Sequence, residues 1–203
     1  MGDHVLFFYG TLMAPQMLHR VIYGRADPEP WQKALLSFQP AVLHGYRRHR
    51  VRGADYPGIV PASGSTQFTE KVGAEPDNQT EANSSARTSV LGTLVSGLTD
   101  GDVHRLDIYE GNEYAHGQVK VRTLKETLHQ DQSHERATSN SGGNLRDVLD
   151  AAGAEFADEQ EEVDAVTYVW TAGVERLESA EWDFETFKRD KMAWWVEKDE
   201  SQW

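Results

Sequence analysis

The 203-residue chain contains no cysteine. Disulfide bonds, thiolate metal sites and thiol nucleophiles are therefore excluded from its chemistry. Basic residues are also scarce, with 20 Lys and Arg against 33 Asp and Glu, which gives a formal net charge of −13. A chain of this charge is a poor candidate for general binding to nucleic acid or to anionic membranes.

Long apolar runs are missing as well, since no stretch approaches the roughly 20 residues that a membrane-spanning helix needs. The first residues do not show the charged leader and cleavable apolar region of a secretory signal. The eight His residues lack metal-ligand spacing, and neither a phosphate-binding glycine loop nor a dinucleotide fingerprint is found. We therefore expect a cytoplasmic protein without a metal or an organic cofactor, and without nucleic-acid or membrane partners. Its oligomeric state is left open.

The N-terminal segment is the most informative stretch. Val5–Phe8 is an unbroken apolar run with aromatic and β-branched members, which predicts a strand buried on both faces. Gly10 permits a sharp turn and the close approach of a ligand. Pro15 favours a helix over residues 16–23, which Gly24 ends. Strand, turn and helix start place unpaired backbone N–H groups in one concavity, which is typical of a carboxylate or phosphate site. A plain first strand with a tight turn is the alternative.

Strand character returns in several later segments, at residues 35–51, 56–61, 89–98, 118–124 and 163–171. Short helices are predicted after Thr99 and, in amphipathic form, from Asp183, while Trp31 is expected to fold back onto the core. These elements predict an α+β fold, a small mixed β-barrel with flanking short helices. We expect a single domain over residues 1–203, with polar insertions at about 63–88 and 126–162.

A basic run, Tyr46–Arg52, stands out in this acidic chain. One interpretation is a solvated edge strand, whose charges discourage pairing with another edge. The other is that one of these arginines faces the pocket and helps to hold an anionic substrate.

A second motif, Leu106–Tyr114, places Glu110 at the end of the helix that Thr99 caps and directly before Gly111. A carboxylate at a helix C-terminus among apolar and aromatic neighbours has its ionised form disfavoured. Such a glutamate is a competent general base near neutral pH. A solvent-facing glutamate in a loop is the alternative.

Taken together, Phe8-Tyr9-Gly10-Thr11-Leu12 and the later Leu-Asp-x-Tyr-Glu-Gly-x-x-Tyr motif resemble the γ-glutamylcyclotransferase-like superfamily. Within it, the similarity is to the AIG2-like branch. The resemblance implies a barrel-like fold with flanking helices. It also implies an acyltransferase that cyclises a γ-glutamyl group to 5-oxoproline and releases an amine or amino acid. The substrate would be a small γ-glutamyl compound, and no metal or organic cofactor would be required.

The resemblance also assigns site residues. Glu110 matches the catalytic general acid/base, whereas the neighbouring Glu113 does not. The substrate-binding residues that it implies are Tyr9, Gly10, Thr11 and Leu12 in the loop, Met13 and Ala14 at its rim, and Tyr114. The alternative is a non-catalytic small-molecule-binding or regulatory protein that keeps the same pocket.

Overall fold

The computed structural model describes residues 2–62, 88–125 and 159–197. In chain order, the strands of these ranges are β1 (His4–Phe8), β2 (Ser37–His44), β3 (Tyr46–Arg50), β4 (Pro57–Pro61), β5 (Ser89–Leu98), β6 (Tyr114–Leu124) and β7 (Glu159–Trp170). The helices are α1 (Pro15–Tyr23), α2 (Pro30–Lys33), α3 (Asp100–Glu110), α4 (Phe184–Asp190) and α5 (Met192–Glu197). No helix in these ranges has the length and apolarity needed to cross a membrane.

Five of the strands form a closed barrel in the order β1, β5, β2, β6, β7. The barrel closes through a parallel pairing of β1 with β7, at Leu6 and Val166. The other barrel pairings are antiparallel. Strands β3 and β4 form a separate two-stranded antiparallel sheet. The predicted α+β class, with a mixed barrel and flanking short helices, is confirmed.

Strand β1 is buried on both faces, as its apolar run predicts. Leu6 and Phe8 pack in a core cluster with residues of α1, α3 and α4. Phe7 points the other way, into a cluster that contains no helix residue and therefore lies inside the barrel. Each of the three side chains is at most 3% exposed. Burial of such a side chain stabilises the fold by roughly 1.5–3 kcal/mol.

The helices that follow β1 and β5 begin and end where the sequence predicts. Helix α1 has Pro15 as its first residue and ends at Gly24, whose φ of 72° is left-handed. Helix α3 opens with a capping box, in which the Thr99 hydroxyl accepts from the Asp102 amide and the Asp102 carboxylate accepts from the Thr99 amide. These caps fix the entry of each helix onto the barrel.

Gly97 near the end of β5 is required by its surroundings. Its φ of 93° lies in the left-handed region, and a Cβ there would lie 2.2 Å from the Leu35 carbonyl oxygen. The chain that leads into β2 therefore packs directly on the backbone of β5.

The C-terminal region and Trp31 differ from the prediction. The single amphipathic helix expected from Asp183 is divided at Lys191 into α4 and α5. Trp31 does not fold back onto the core, because α2 turns it outward and leaves it 65% exposed.

Strand β7 begins at Glu159, four residues before the predicted start at Val163, so the end of the second predicted insertion is part of the barrel. Glutamates at its start pair with Lys120 and Arg122 on β6, and a solvent-facing ladder of this kind has no apolar alternation to reveal it. The rest of that insertion, with the helical turn expected near 145–149, lies outside the described residues, as do residues 63–87 of the first one.

Candidate active site

A narrow cavity lies at the rim of the barrel where β1 ends and β6 begins. It is bounded by the loop after β1, the start of β4, the last residue of α3 and several tyrosines. Its lining residues are Phe7, Phe8, Tyr9, Gly10, Thr11, Leu12, Tyr56, Pro57, Glu110, Tyr114 and Tyr168. The glycine loop and the carboxyl group, which belong to two separate motifs of the sequence, therefore face one space.

The loop offers hydrogen-bond donors to this space. Thr11–Met13 form one 3-10 turn, held by bonds from the Met13 amide to the Gly10 carbonyl (3.0 Å) and from the Ala14 amide to the Thr11 carbonyl (3.2 Å). Within the described part of the chain, no group accepts the amide N–H of Gly10, Thr11 or Leu12. Buried amide donors are rarely left without an acceptor. Three consecutive donors beside a cavity therefore favour an anionic or carbonyl oxygen as the ligand atom.

Gly10 also determines how closely the loop approaches the opposite wall of the cavity. A Cβ at this position would lie 2.9 Å from Cγ of Pro57 on the opposite wall. The absence of a side chain thus lets the loop backbone approach β4 closely.

Arg48, from the basic run, supports the loop from behind. Its Nη1 donates to the Tyr9 carbonyl (3.0 Å) and its Nη2 to Glu181 (3.1 Å). The side chain is largely buried, 11% exposed, yet Arg48 is not among the residues that line the cavity. The structure thus fits neither interpretation of the basic run fully: Arg47 and Arg50 are solvent-exposed on β3, and Arg48 points inward but contacts the loop backbone.

Glu110 is the last residue of α3, ahead of Gly111. Burial, and secondarily the nearby negative charge of Asp107, raise the pKa of Glu110 from 4.5 to about 8. Its carboxyl group makes no hydrogen bond to any other residue within the described ranges. An uncompensated carboxyl in a cavity is costly to ionise, and it is free to exchange a proton with a ligand.

Tyrosines surround this carboxyl group. The Tyr114 hydroxyl donates to the Pro57 carbonyl (2.8 Å), and the Tyr168 hydroxyl donates to Asp107 (2.7 Å). The Tyr9 hydroxyl donates to the Tyr168 carbonyl (2.6 Å). Burial raises the pKa of all three phenols, and the charge of Glu110 raises each of them further. These phenols are therefore neutral at any physiological pH and serve as fixed dipoles, not as acids.

A contact between the two motifs joins the loop to α3. The Thr11 hydroxyl and the Tyr109 hydroxyl are 3.1 Å apart. Since Tyr109 directly precedes Glu110, this hydrogen bond fixes the distance between the loop and the helix end that carries the carboxyl group.

Glu113 is occupied by structural partners. It forms an ion pair with Arg176 and accepts a hydrogen bond from the Tyr56 hydroxyl (3.0 Å). Its backbone carbonyl accepts from the Thr171 amide (2.9 Å). These contacts give Glu113 a structural role, in which it stabilises the wall of the cavity.

The predicted site residues divide into two groups. Around the cavity the structure brings together Tyr9, Gly10, Thr11, Leu12, Glu110 and Tyr114. Met13 and Ala14, expected at the rim, instead lie in the main core cluster and are 0% and 2% exposed. The 3-10 turn rotates them away from the opening. The catalytic and binding roles of all these residues stay predictions.

Five lining residues were missed by the sequence interpretation: Phe7 and Phe8, which were predicted only as buried strand residues, and Tyr56, Pro57 and Tyr168. Tyr56 and Pro57 lie in the segment predicted as a strand at residues 56–61, and Tyr168 lies in the one predicted at residues 163–171. Nothing local in the sequence distinguishes them from ordinary turn and core residues, because it is the barrel closure that brings them to the loop.

Comparisons with known proteins agree with the family resemblance of the sequence. A family profile described as gamma-glutamyl cyclotransferase, AIG2-like, matches residues 6–78. Protein AIG2 C of Arabidopsis thaliana is 24% identical over 186 residues, which cover 92% of this chain and 73% of that protein. AIG2-like protein B of the same plant is 25% identical over 194 residues, covering 96% and 74%.

A solution structure of an Arabidopsis thaliana protein is also similar, with 22% sequence identity, a TM-score of 0.48, and coverage of 96% of this chain and 78% of that one. The family profile covers the loop motif and ends before Glu110, whereas the sequence relatives cover more than nine-tenths of the chain. They confirm the resemblance of this chain to the AIG2-like branch of the γ-glutamylcyclotransferase-like superfamily.

Proposed function

We propose that the chain is a γ-glutamylcyclotransferase-type acyltransferase. The α-amine of a γ-glutamyl group would attack its own γ-carbonyl carbon, forming 5-oxoproline and releasing the attached amine or amino acid. One observation carries the proposal: a carboxyl group with a pKa of about 8 and three unpaired loop amides line the same cavity. The AIG2-like family profile supports the reaction class.

Proton transfer explains why the carboxyl group needs its raised pKa. The attacking amine is an ammonium with a pKa of about 8, so transfer to an ordinary glutamate would be uphill by roughly 3.5 units, or about 5 kcal/mol. With its pKa at about 8, Glu110 accepts this proton at almost no free-energy cost. When the new C–N bond has formed and the old amide C–N bond breaks, the same carboxyl group returns the proton to the departing amine.

The loop amides would act on the oxygen atoms of the substrate. As the amine attacks, the γ-carbonyl oxygen gains negative charge, and the N–H groups of Gly10, Thr11 and Leu12 would stabilise this oxygen or a substrate carboxylate. Because the attack is internal, the site chiefly has to hold the substrate in a folded, reactive conformer. A narrow cavity with rigid tyrosine walls serves that purpose.

The direct test is product analysis on a panel of γ-glutamyl amino acids and γ-glutamylamines. We expect at least one of them to yield 5-oxoproline and the free amine in equal amounts. A ligand that raises the melting temperature but yields no product, across the panel, would contradict the proposal and favour the alternative, a non-catalytic binding protein that keeps the pocket.

The pH dependence of the reaction gives a second test. Below pH about 8 Glu110 is largely protonated and is not a base, so kcat/KM should fall about tenfold for each pH unit below that value. Asp107→Asn removes the negative charge that helps to raise the pKa of Glu110. We therefore expect the rising limb of the kcat/KM profile to move to lower pH in this variant.

The asparagine can still accept the hydrogen bond from the Tyr168 hydroxyl, so the cavity wall keeps its shape. A limb that does not move, or that moves to higher pH, would contradict the assignment of the titrating group to Glu110.

A further inference from the structure

Arg48 brings a positive charge to the side of the loop that faces away from the cavity. Its Nη1 donates to the Tyr9 carbonyl (3.0 Å) and also lies 3.5 Å from the Leu91 carbonyl of β5. Its Nη2 donates to Glu181 (3.1 Å), and the guanidinium carbon lies 5.6 Å from the centroid of the Trp182 ring. The guanidinium is therefore fixed between the loop, the barrel wall and the segment before α4.

The burial of this cation is only partly compensated. The Nε–H of Arg48 is buried and has no acceptor within the described ranges. The carboxylate of Glu181 is itself 67% exposed, so water screens its attraction for the guanidinium. A neutral side chain at this position would avoid the cost of burying a cation. This balance favours a role for the charge other than stability of the fold.

The Tyr9 carbonyl belongs to the same peptide group as the Gly10 N–H. None of the described residues has a cis peptide bond, and in a trans peptide group the C=O and the N–H point in opposite directions. Arg48 is not a lining residue, so it binds the Tyr9 carbonyl from outside the cavity. The Gly10 N–H on the other side of the peptide group is therefore turned toward the cavity.

The bond to Arg48 also makes this N–H a stronger donor. A cation that binds a peptide oxygen draws electron density away from the peptide nitrogen, as in other chains of hydrogen bonds. None of the residues that line the cavity is Lys, Arg or His. A ligand oxygen on the loop side thus meets positive charge through the backbone, with Arg48 behind it.

We propose that Arg48 is a positioning residue that orients and polarises the Tyr9–Gly10 peptide group, so that the Gly10 N–H donates to an oxygen atom of the ligand. This inference rests on the proposed function, in which that oxygen is the γ-carbonyl oxygen or a carboxylate oxygen of the substrate. Arg48 touches no ligand and acts through the loop. The inference adds a cation outside the cavity to the groups on which the reaction depends.

Kinetics of full-length Arg48→Met and Arg48→Lys test this role. Methionine removes the charge, whereas lysine keeps the charge and a donor group. We expect kcat/KM for release of 5-oxoproline from γ-glutamyl-L-alanine to fall at least about tenfold in Arg48→Met, the effect of losing a hydrogen bond to a charged group. Arg48→Lys should lie between this variant and the wild type. Arg47→Met is the matched control, because it removes the same charge from an exposed neighbour on β3, and it should stay within about twofold.

The amide signal of Gly10 is a readout that a merely structural role would not move. The nitrogen chemical shift of an amide responds to hydrogen bonding at the carbonyl of its own peptide group. In two-dimensional NMR spectra, we expect this signal to move to lower nitrogen shift in Arg48→Met, less in Arg48→Lys and not in Arg47→Met. In a Glu110→Gln background, where no ligand is consumed, γ-glutamyl-L-alanine should move the Gly10 signal more with Arg48 than with methionine at this position.

The outcomes separate this inference from the proposed function. Release of 5-oxoproline by Arg48→Met at the wild-type rate would overturn the inference and leave the proposed function standing. A lower rate with an unmoved Gly10 signal would also overturn it, since Arg48 would then have a structural role alone. A Gly10 signal that responds to the ligand through Arg48, with no 5-oxoproline from the wild-type protein, would support the inference and contradict the proposed reaction alone.

Discussion

Replacement of Glu110 by Gln is expected to lower kcat for 5-oxoproline release by about 10³-fold or more. Glutamine keeps the size of the side chain but can neither accept the proton of the attacking ammonium nor return one to the departing amine. Both proton transfers are lost at once, so the effect should lie toward the upper end of what a general acid/base contributes. Initial rates under saturating substrate measure it.

Glu161→Gln is the matched control, because this side chain on β7 is solvent-exposed. It should retain kcat within about twofold, as surface substitutions usually do. Wild-type turnover by Glu110→Gln would contradict the mechanism, whatever the control does.

The Glu110→Gln substitution should not lower the stability of the folded protein. The pKa of Glu110 is raised from 4.5 to about 8 in the folded protein, so the folded state holds this proton more tightly than the unfolded chain. The stability from this group is present below pH about 4.5 and is lost as the pH rises to about 8. The melting temperature of Glu110→Gln at pH 9 should therefore equal or exceed that of the wild type, which separates lost chemistry from lost structure.

Gly97→Ala is expected to destabilise the protein by about 3 kcal/mol or more. A left-handed φ costs a residue with a Cβ roughly 1–2 kcal/mol, and overpacking typically adds about 1–3 kcal/mol. Here the new methyl group would meet the Leu35 carbonyl oxygen at 2.2 Å, and backbone has to move to relieve the contact. For a chain of this size the melting temperature should drop by about 6–12 °C.

Gly53→Ala separates the two contributions. Gly53 has a φ of 73°, also left-handed, but a Cβ there would meet nothing within 4 Å. This variant should therefore show the backbone strain alone, about 1–2 kcal/mol. If both substitutions shifted the denaturation midpoint equally, close packing of the segment before β2 against β5 would not be the reason that Gly97 is required.

Much of the molecule could be predicted because its signals are local. A few adjacent residues suffice to predict each of three features: the apolar run of β1, the glycine of the loop, and the helix that ends at Glu110. The sequence also placed Glu110 at the last turn of α3, but it left open whether the side chain faces solvent. The resemblance of the two motifs supplied what spacing could not, namely that the loop and the carboxyl group belong to one site.

The remainder depends on contacts between distant segments. Tyr56 reaches the cavity because Glu113, 57 positions later, accepts its hydroxyl hydrogen, and no local pattern records such a pairing. In the sequence, Arg48 cannot be distinguished from the other basic residues of its run. Only the fold brings its guanidinium to the Tyr9 carbonyl. Strand β7 was predicted four residues short because its first four residues are polar, three of them glutamates, and lie on the outer wall of the barrel.

The parallel pairing of β1 with β7 has a consequence for biosynthesis. The first strand leaves the ribosome early, but its neighbour at the seam is the last strand of the barrel. Until residues 159–170 emerge, β7 is missing, so the edges of β1 and β6 that pair with it have unpaired backbone groups. These edges can pair with other nascent chains. Tyr168 lies on that final strand, and Arg176, the ion-pair partner of Glu113, follows the strand in the chain. A stalled or truncated translation product would thus carry the loop and the glutamate, yet have an unfinished pocket and an aggregation-prone edge.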